Sequence, residues 1–174
     1  AWLPLYFTET HGLSLAAAGF AGTFWMQAGS LAGLFGGSLL SDRAAQGNVM
    51  RRMALQGGLY VLAGPVLLAF LTPQPMAVIT AAVLCFFLFR YLGLANEQPL
   101  LTELLPDNLR STAVGLTNMC NCAAGGAGVM VAGMLKKDYG LPAIFAATSV
   151  LYLLAGALLI AGFMRARPAN AGRD

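Results

Sequence analysis

The stretch Gly36-Gly37-Ser38-Leu39-Leu40-Ser41-Asp42-Arg43, closed by Arg51-Arg52, decides how this chain folds. It lies between two long runs without charge, residues 12–41 and residues 53–89. About 20 apolar residues cross the ~30 Å hydrocarbon core of a bilayer as a helix, so each run is long enough to span. The charges between the runs therefore form a short loop at the membrane surface, and its arginines favour the cytoplasmic side.

The composition excludes a soluble domain. Hydrophobic residues make up 58% of the chain and charged residues 10%, whereas soluble domains carry about 25% charged residues. The net charge of +3 comes from basic residues in short loops rather than on one face, so we expect a lipid bilayer and no nucleic acid as partner. The three cysteines lie in apolar runs, and His11 is the sole histidine. The sequence therefore predicts no disulfide, metal or cofactor.

Prolines, polar turns and charged loops divide the chain into six predicted helices. Their predicted bounds are residues 1–8, 15–41, 52–71, 76–101, 111–135 and 142–164. The first is too short to span, so we expect an all-α integral membrane bundle with five full spans and one truncated span over residues 1–164. The intervening predicted turns are residues 9–12, 72–75, 103–110 and 136–140. A polar, disordered tail over residues 165–174 is expected to follow.

The distribution of basic residues predicts the orientation. One side of the membrane collects seven arginines: Arg43, Arg51, Arg52, Arg110, Arg165, Arg167 and Arg173. The other side collects only Lys136 and Lys137. This asymmetry predicts that the 42–52 loop, the 103–110 loop and the C-terminus are cytoplasmic.

The loop after the first long helix resembles the signature loop of the major facilitator superfamily. The matching positions are Asp42, Arg43, Gly47, Arg51 and Arg52. Ser38 stands where the first glycine is usual, and the loop from Ala44 to Met50 is longer than in the signature. The superfamily carries this motif once in each six-helix half, and the second copy is usually the degenerate one. The resemblance thus implies helices 7–12 of a twelve-helix transporter, with a missing N-terminal half as partner.

Two further segments extend the resemblance. Residues 103–116 are similar to the loop between the tenth and eleventh helices, with Glu103, Pro106 and Arg110 before a small-residue helix start. Residues 2–19 resemble the seventh helix and its exit loop, most closely in the organic anion:cation symporter branch. The resemblance implies alternating access with a proton or ion as coupling partner, and location in the bacterial inner membrane.

Arg90 is the candidate residue for binding an anionic substrate. It lies midway along the 76–101 run among phenylalanines, and an arginine at the bilayer centre costs about 2.5–3.5 kcal/mol on insertion scales. Its planar fork suits a carboxylate or phosphate. Glu97 follows seven residues later on nearly the same helical face, so the two residues either pair through water or line one cavity, with Glu97 as a proton carrier or gate. Structural pairing or snorkelling of Arg90 is the alternative.

Other polar and aromatic residues in the spans are candidates with open alternatives. Asn118 and Asn121 share a helical face and can contact substrate or join helices, and Gln27 has the same two interpretations. Trp2 and Tyr6 either line the cavity, as the seventh helix does in the superfamily, or anchor the membrane interface. His11 is expected in solvent.

At the cytoplasmic side, Asp42, Arg43, Glu103 and Arg110 are expected to form a coupling or gating charge cluster, because the superfamily's loop motifs meet there. Glycines at spacing four, Gly29, Gly33 and Gly37, let another helix approach closely. Because the superfamily's eighth and eleventh helices face the other half, the resemblance implies that this ridge and the glycines of the 111–135 helix form a sliding interface with it. The helices over 52–71 and 142–164 are expected to be outer helices facing lipid.

The predicted function is therefore secondary active transport of a small organic anion, without enzymatic activity. Two other functions were weighed against it, a structural or partner subunit of a membrane complex and a membrane-embedded enzyme. The enzyme is disfavoured because the chain has no cluster of histidines and no cysteine ligand spacing. The intramembrane Arg90 argues against a purely structural subunit.

Overall fold

The structure, a computed structural model, describes residues 2–46 and 48–170, except for the side chains of Ala45 and of residues 166–170. Gly47 of the loop signature and residues 171–174, which include Arg173, lie outside the described residues. Every regular element in the described part is helical, which confirms the predicted all-α bundle.

The elements follow one another with short connections. In chain order they are α1 (Leu3–His11), α2 (Leu15–Ala45), α3 (Met50–Val66), a 3-10 segment (Leu67–Leu71), α4 (Met76–Leu94), α5 (Glu97–Leu104) and α6 (Asp107–Asn170). Gly140 interrupts α6 with φ 80° and ψ 179°, a conformation open to glycine because it lacks a Cβ. The element therefore comprises a first segment, residues 107–139, and a second segment, residues 141–170.

Three predicted turns are shorter than expected. The predicted turn at 9–12 is wrong for its first three residues, because α1 continues through His11 and ends at Gly12, whose φ is 65°. The predicted loop over 103–110 shrinks to Leu105 and Pro106 between α5 and α6. The predicted turn at 136–140 reduces to the bend at Gly140, and the last helix continues to Asn170 instead of ending at residue 164.

Three helical stretches are long and apolar enough to cross a membrane: Met50–Leu71, Met76–Leu104 and Asp107–Arg165. The last contains 59 residues and bends at Gly140, so it provides two crossing lengths. The 31 residues of α2 also exceed the length needed to cross, about 20 residues. Glycine and polar residues make α2 less apolar than those three stretches, and it is not among them.

Glycines on α2 bring its backbone against α4. A Cβ added at Gly29 would lie 2.7 Å from the Leu84 carbonyl oxygen, and one at Gly33 would lie 2.7 Å from that of Leu88. One at Gly37 would lie 2.8 Å from the Leu92 carbonyl oxygen. The expectation that this ridge slides against another half is therefore wrong: the ridge is filled by α4 of the same chain.

The second segment of α6 packs on α3 in the same manner. A Cβ at Gly57 would lie 2.8 Å from the Gly156 carbonyl oxygen, and one at Gly156 would lie 2.6 Å from that of Gly57. The first segment of α6 is different, because a Cβ at Gly125, Gly126 or Gly128 would meet nothing within 4 Å. That face is open in the described structure.

An aromatic cluster closes one end of the bundle. The ring of Tyr6 lies edge-on to Phe70 and Phe145, at centroid distances of 5.0 Å and 5.6 Å. Phe70 and Phe145 stack at 4.3 Å. Phe7 is fully buried beside them. The cluster ties α1 and the 3-10 segment to the second segment of α6.

Candidate functional site

The candidate site lies on the face of α4 that points into the bundle. Ile79, Val83 and Phe86 are buried on this face, and Arg90 follows at the same helical spacing. Seen along the axis, Arg90 lies about 140° away from the residues that contact the glycines of α2, at about 100° per residue. The tight α2–α4 contact therefore turns Arg90 toward α3 and α6.

A break between α4 and α5 shapes the end of this face. Pro99 has no N–H and cannot donate to the carbonyl of Ala95, and two residues without helical assignment separate the helices. The fully buried Asn96 donates from Nδ2 to the carbonyls of Leu92 (3.1 Å) and Gly93 (3.2 Å). Asn96 thereby satisfies backbone carbonyls at the end of α4, and α5 begins at the next residue, Glu97.

Arg90 and Glu97 line one cavity of about 450 Å³, here called the Arg90 cavity. Its walls come from α3, α4, α5 and both segments of α6. The lining residues are Tyr60, Arg90, Leu94, Glu97, Asn121, Leu151, Tyr152 and Ala155. This volume falls within the range of about 300–1,000 Å³ that is usual for small-molecule sites.

Two neighbouring cavities continue the Arg90 cavity along the first segment of α6. One, of about 470 Å³, shares Arg90 and Leu151 and reaches Trp2. The other, of about 380 Å³, shares Glu97 and Asn121 and reaches Asn118. The three cavities together form a groove, here called the Arg90 groove. It brings Arg90, Glu97, Asn118, Asn121 and Trp2 to one surface.

The guanidinium of Arg90 has no carboxylate within 4.0 Å in the described part of the chain. Its Cζ lies 5.4 Å from the ring centroid of Tyr91 and 5.9 Å from that of Phe87. Such cation–π contacts contribute about 0.5–2 kcal/mol each, without neutralising the charge. Arg90 therefore presents a cation to the cavity.

Among the described residues, a single hydrogen bond joins Glu97 to the first segment of α6. Asn121 Nδ2 donates to Glu97 Oε1 at 3.3 Å. This contact supports the interpretation of Asn121 as a link between helices, while Asn121 also lines the Arg90 cavity. Asn118 is exposed one turn away.

Tyr60 and Tyr152 are cavity residues that the sequence analysis missed. Their rings meet edge to face at 5.4 Å, and the absence of a side chain at Gly93 lets the Tyr60 ring lie against the α4 backbone. Gln56 Nε2 donates to Tyr60 Oη at 3.2 Å, and Gln56 is buried. The expectation that these helices only face lipid is wrong for this side of them. The polar pair Gln56 and Tyr60, four residues apart on one helical face, was the available signal.

Three other predicted residues lie elsewhere. Tyr6 is 3% exposed in the aromatic cluster and lines none of the three cavities. Gln27 is exposed on α2, and it also lines none of them. The expectation of a solvated His11 is wrong, because its ring packs 5.9 Å from that of Tyr6 and its Nε2 is buried without a partner among the described residues.

A buried arginine holds the other end of the bundle. Arg52, 6% exposed, donates from Nε and Nη2 to the two carboxylate oxygens of Glu103, each at 3.1 Å. Its Nη2 lies 3.4 Å from Asp42 Oδ1, and its Nη1 donates to Ser41 Oγ. A bidentate arginine–carboxylate pair combines charge with fixed geometry. Arg52 thus joins α2, α3 and α5.

The predicted charge cluster therefore forms around a different arginine. Asp42 and Glu103 meet as expected, but through Arg52. Arg43 is exposed and makes no ion pair in the described part of the chain. Arg110 pairs locally with Asp107 at 2.6 Å and donates to the Leu105 carbonyl at 3.2 Å. Position in the motif did not distinguish Arg52 from Arg43, since both adjoin the same loop.

Comparison with known families agrees with this architecture. The sequence profile of the Major Facilitator Superfamily matches residues 1–174. The chain belongs to the major facilitator superfamily. Members of this superfamily are membrane transporters, so the bundle is part of an integral membrane protein that binds a small-molecule substrate. No curated protein and no solved structure matches the chain.

The contacts that Arg52 makes with Asp42 and Glu103 can be tested by their effect on stability. Arg52→Gln removes the cation shared by Glu103 and Asp42, so we expect the free energy of unfolding to fall by about 2 kcal/mol. This lies below the cost for a fully buried pair because the Glu103 side chain is 36% exposed. Arg43→Gln is the matched control and should change it by less than about 0.5 kcal/mol.

Unfolding in detergent, monitored by helical circular dichroism against denaturant, measures both variants. The double variant with Glu103→Gln should lose less than the sum of the single losses. If Arg43→Gln and Arg52→Gln lowered the free energy of unfolding equally, the assignment of Arg52 as the residue that joins α2, α3 and α5 would be contradicted.

Proposed function

We propose that this chain is the C-terminal six-helix half of a twelve-helix secondary transporter that moves a small organic anion by alternating access. The observation that carries the proposal is the Arg90 guanidinium, which lines a cavity without a carboxylate partner among the described residues. An arginine held at membrane depth usually faces a water-filled cavity or a charged partner. An anionic solute is the natural partner for this one.

The surroundings of Arg90 fit such a solute. The fork of Arg90 suits bidentate binding of a carboxylate. Trp2 lines the adjoining cavity, so its ring offers an aromatic surface to the apolar part of a solute. Asn118 and Asn121 supply neutral donors further along the Arg90 groove. Tyr6 and Gln27 are not needed in this binding site.

The acidic residues of the same half couple solute transport to a proton or cation. Glu97 lies where solute and coupling ion can influence each other, because it shares the cavity with Arg90. The cluster of Asp42, Arg52 and Glu103 joins helix ends and suits a gate that must break when the helices move. Arg43 and Arg110 border this gate.

The proposed location is the bacterial inner membrane, with the α2–α3 and α5–α6 connections and the C-terminus in the cytoplasm. The excess of arginines on that side supports this orientation. The aromatic cluster of Tyr6, Phe70 and Phe145 then lies at the external end.

Cysteine labelling tests the orientation. Single cysteines at Gln46 and Gln74, with Cys85, Cys120 and Cys122 replaced by alanine, are treated in intact cells with a membrane-impermeant maleimide. We expect Gln74→Cys to react in intact cells and Gln46→Cys to react only after permeabilisation, because loops rich in arginine remain on the cytoplasmic side of the membrane. Labelling of both cysteines in intact cells would contradict the orientation.

The substrate role of Arg90 is tested in the full-length transporter. Arg90→Lys keeps the charge but loses the fork, so we expect uptake of a labelled organic acid to fall about tenfold. Arg90→Gln should reduce it further. Yield and melting temperature should change little, because Arg90 makes no ion pair within the described structure and the loss of its two cation–π contacts is offset by removing a charge from membrane depth. Arg51→Gln, at an exposed arginine in the first turn of α3, is the matched control.

Uptake and yield together decide between the two roles of Arg90. Normal uptake by Arg90→Gln would rule out the substrate role. Low yield together with normal uptake per folded molecule would assign Arg90 to structure alone.

A further inference from the structure

The Arg90 cavity holds two opposite charges that do not pair with each other. Arg90 and Glu97 both line it, yet no nitrogen of Arg90 lies within 4.0 Å of a Glu97 oxygen. They are seven positions apart, and Ala95 and Asn96 at the α4–α5 break keep right-handed helical φ and ψ, so a rise of about 1.5 Å per residue places the two backbones about 10 Å apart. The helical rise keeps them apart on one face, with the cavity between them.

Glu97 is held without a compensating charge. Its only described hydrogen bond comes from Asn121, a neutral amide, at 3.3 Å to Oε1. No hydrogen bond to Oε2 is found among the described residues, and no basic side chain lies within 4.0 Å of Glu97 in that part of the chain. The carboxylate is therefore positioned by Asn121 but left able to accept from a cation.

The space between the two charges has aromatic walls. Tyr60 and Tyr152 line it, with ring centroids 5.4 Å apart. Because Tyr60 Oη accepts a hydrogen bond from Gln56, its own O–H remains available as a donor. Aromatic rings pack well against methylene groups and attract ammonium ions. A carbon chain can lie against these two rings with its ends at Arg90 and Glu97.

We propose that the Arg90 cavity binds a zwitterion of the amino-acid type, with its carboxylate on Arg90 and its ammonium group on Glu97. This inference rests on the proposed function and narrows it from organic anions to solutes that carry both charges. A flexible ω-amino acid such as 6-aminohexanoate carries both charges, and its methylene chain can bend to bring them to the distance that separates Arg90 from Glu97.

Binding of two matched probes tests the inference in the full-length transporter. The probes are 6-aminohexanoate and hexanoate, which differ only in the ammonium group. Affinity is measured in detergent by microscale thermophoresis on wild-type protein, Glu97→Gln, Glu97→Asp and Arg90→Gln. The melting temperature of each variant establishes that it is folded.

We expect 6-aminohexanoate to bind wild-type protein roughly tenfold more tightly than hexanoate, since a hydrogen bond between charged groups contributes that much. Glu97→Gln should abolish this preference while the affinity for hexanoate is unchanged or higher. Glu97→Asp keeps the charge and should keep a preference. Arg90→Gln should weaken both probes.

The outcomes separate this inference from the proposed function. Equal affinity of wild-type protein for both probes, no binding of 6-aminohexanoate, or an intact preference in Glu97→Gln would overturn the zwitterion assignment. If Arg90→Gln still weakens hexanoate in those cases, the anion role of Arg90 stands. Unchanged binding of both probes to Arg90→Gln would overturn the proposed function and the inference with it.

Discussion

The close approach of α2 and α4 is the constraint on which the candidate site depends. Gly29, Gly33 and Gly37 lie one turn apart, and each would place a Cβ within 2.7–2.8 Å of an α4 carbonyl oxygen. In lipid, such backbone contact replaces the hydrophobic drive that holds helices together in water. Because this contact fixes the rotation of α4, it also fixes the direction of Arg90, about 140° around the helix.

The bundle is fastened at both ends by interactions of opposite character. Aromatic rings of Tyr6, Phe70 and Phe145 pack at one end, whereas Arg52 gathers Glu103 and Asp42 at the other. The first segment of α6 is attached differently. It meets the body through two polar contacts, Asn121 with Glu97 at 3.3 Å and Lys136 with Glu9 at 2.8 Å, and through Ala132 and Leu135, which pack against the core. The Arg90 groove thus lies between a tightly packed body and a helix whose glycine face, at Gly125, Gly126 and Gly128, is open.

Hydrophobic run length was sufficient to predict the helices, because backbone groups in lipid must bond within their own segment. The depth of Arg90 and its helical register with Glu97 likewise predicted that they pair through water or line one cavity. Partners across helices were harder to predict. The glycine ridge of α2 fits any close neighbour, and only the packed structure identifies α4 as that neighbour.

The errors about Arg43, Tyr60, Tyr152 and Tyr6 share one cause, which is that sequence spacing does not reveal rotation about a helix axis. Arg52 and Arg43 adjoin the same loop, but only Arg52 turns inward to Glu103. Tyr60 and Tyr152 looked like residues of outer helices, but both turn toward Arg90. Tyr6 was expected at the cavity, and it turns into the aromatic cluster instead.

The central claim is that the Arg90 cavity is where the solute binds. The most direct test is solute protection of a cysteine at Ala155, which lines that cavity opposite Arg90 on the second segment of α6. In a full-length protein without other cysteines, a water-soluble methanethiosulfonate should label Ala155→Cys. A saturating concentration of transported solute should slow this labelling about tenfold or more, because a bound ligand buries most of its surface in its pocket. Labelling of Ala157→Cys, about 160° around the same helix, should not respond to solute. An Ala155→Cys labelling rate that is unaffected by saturating solute would contradict the account.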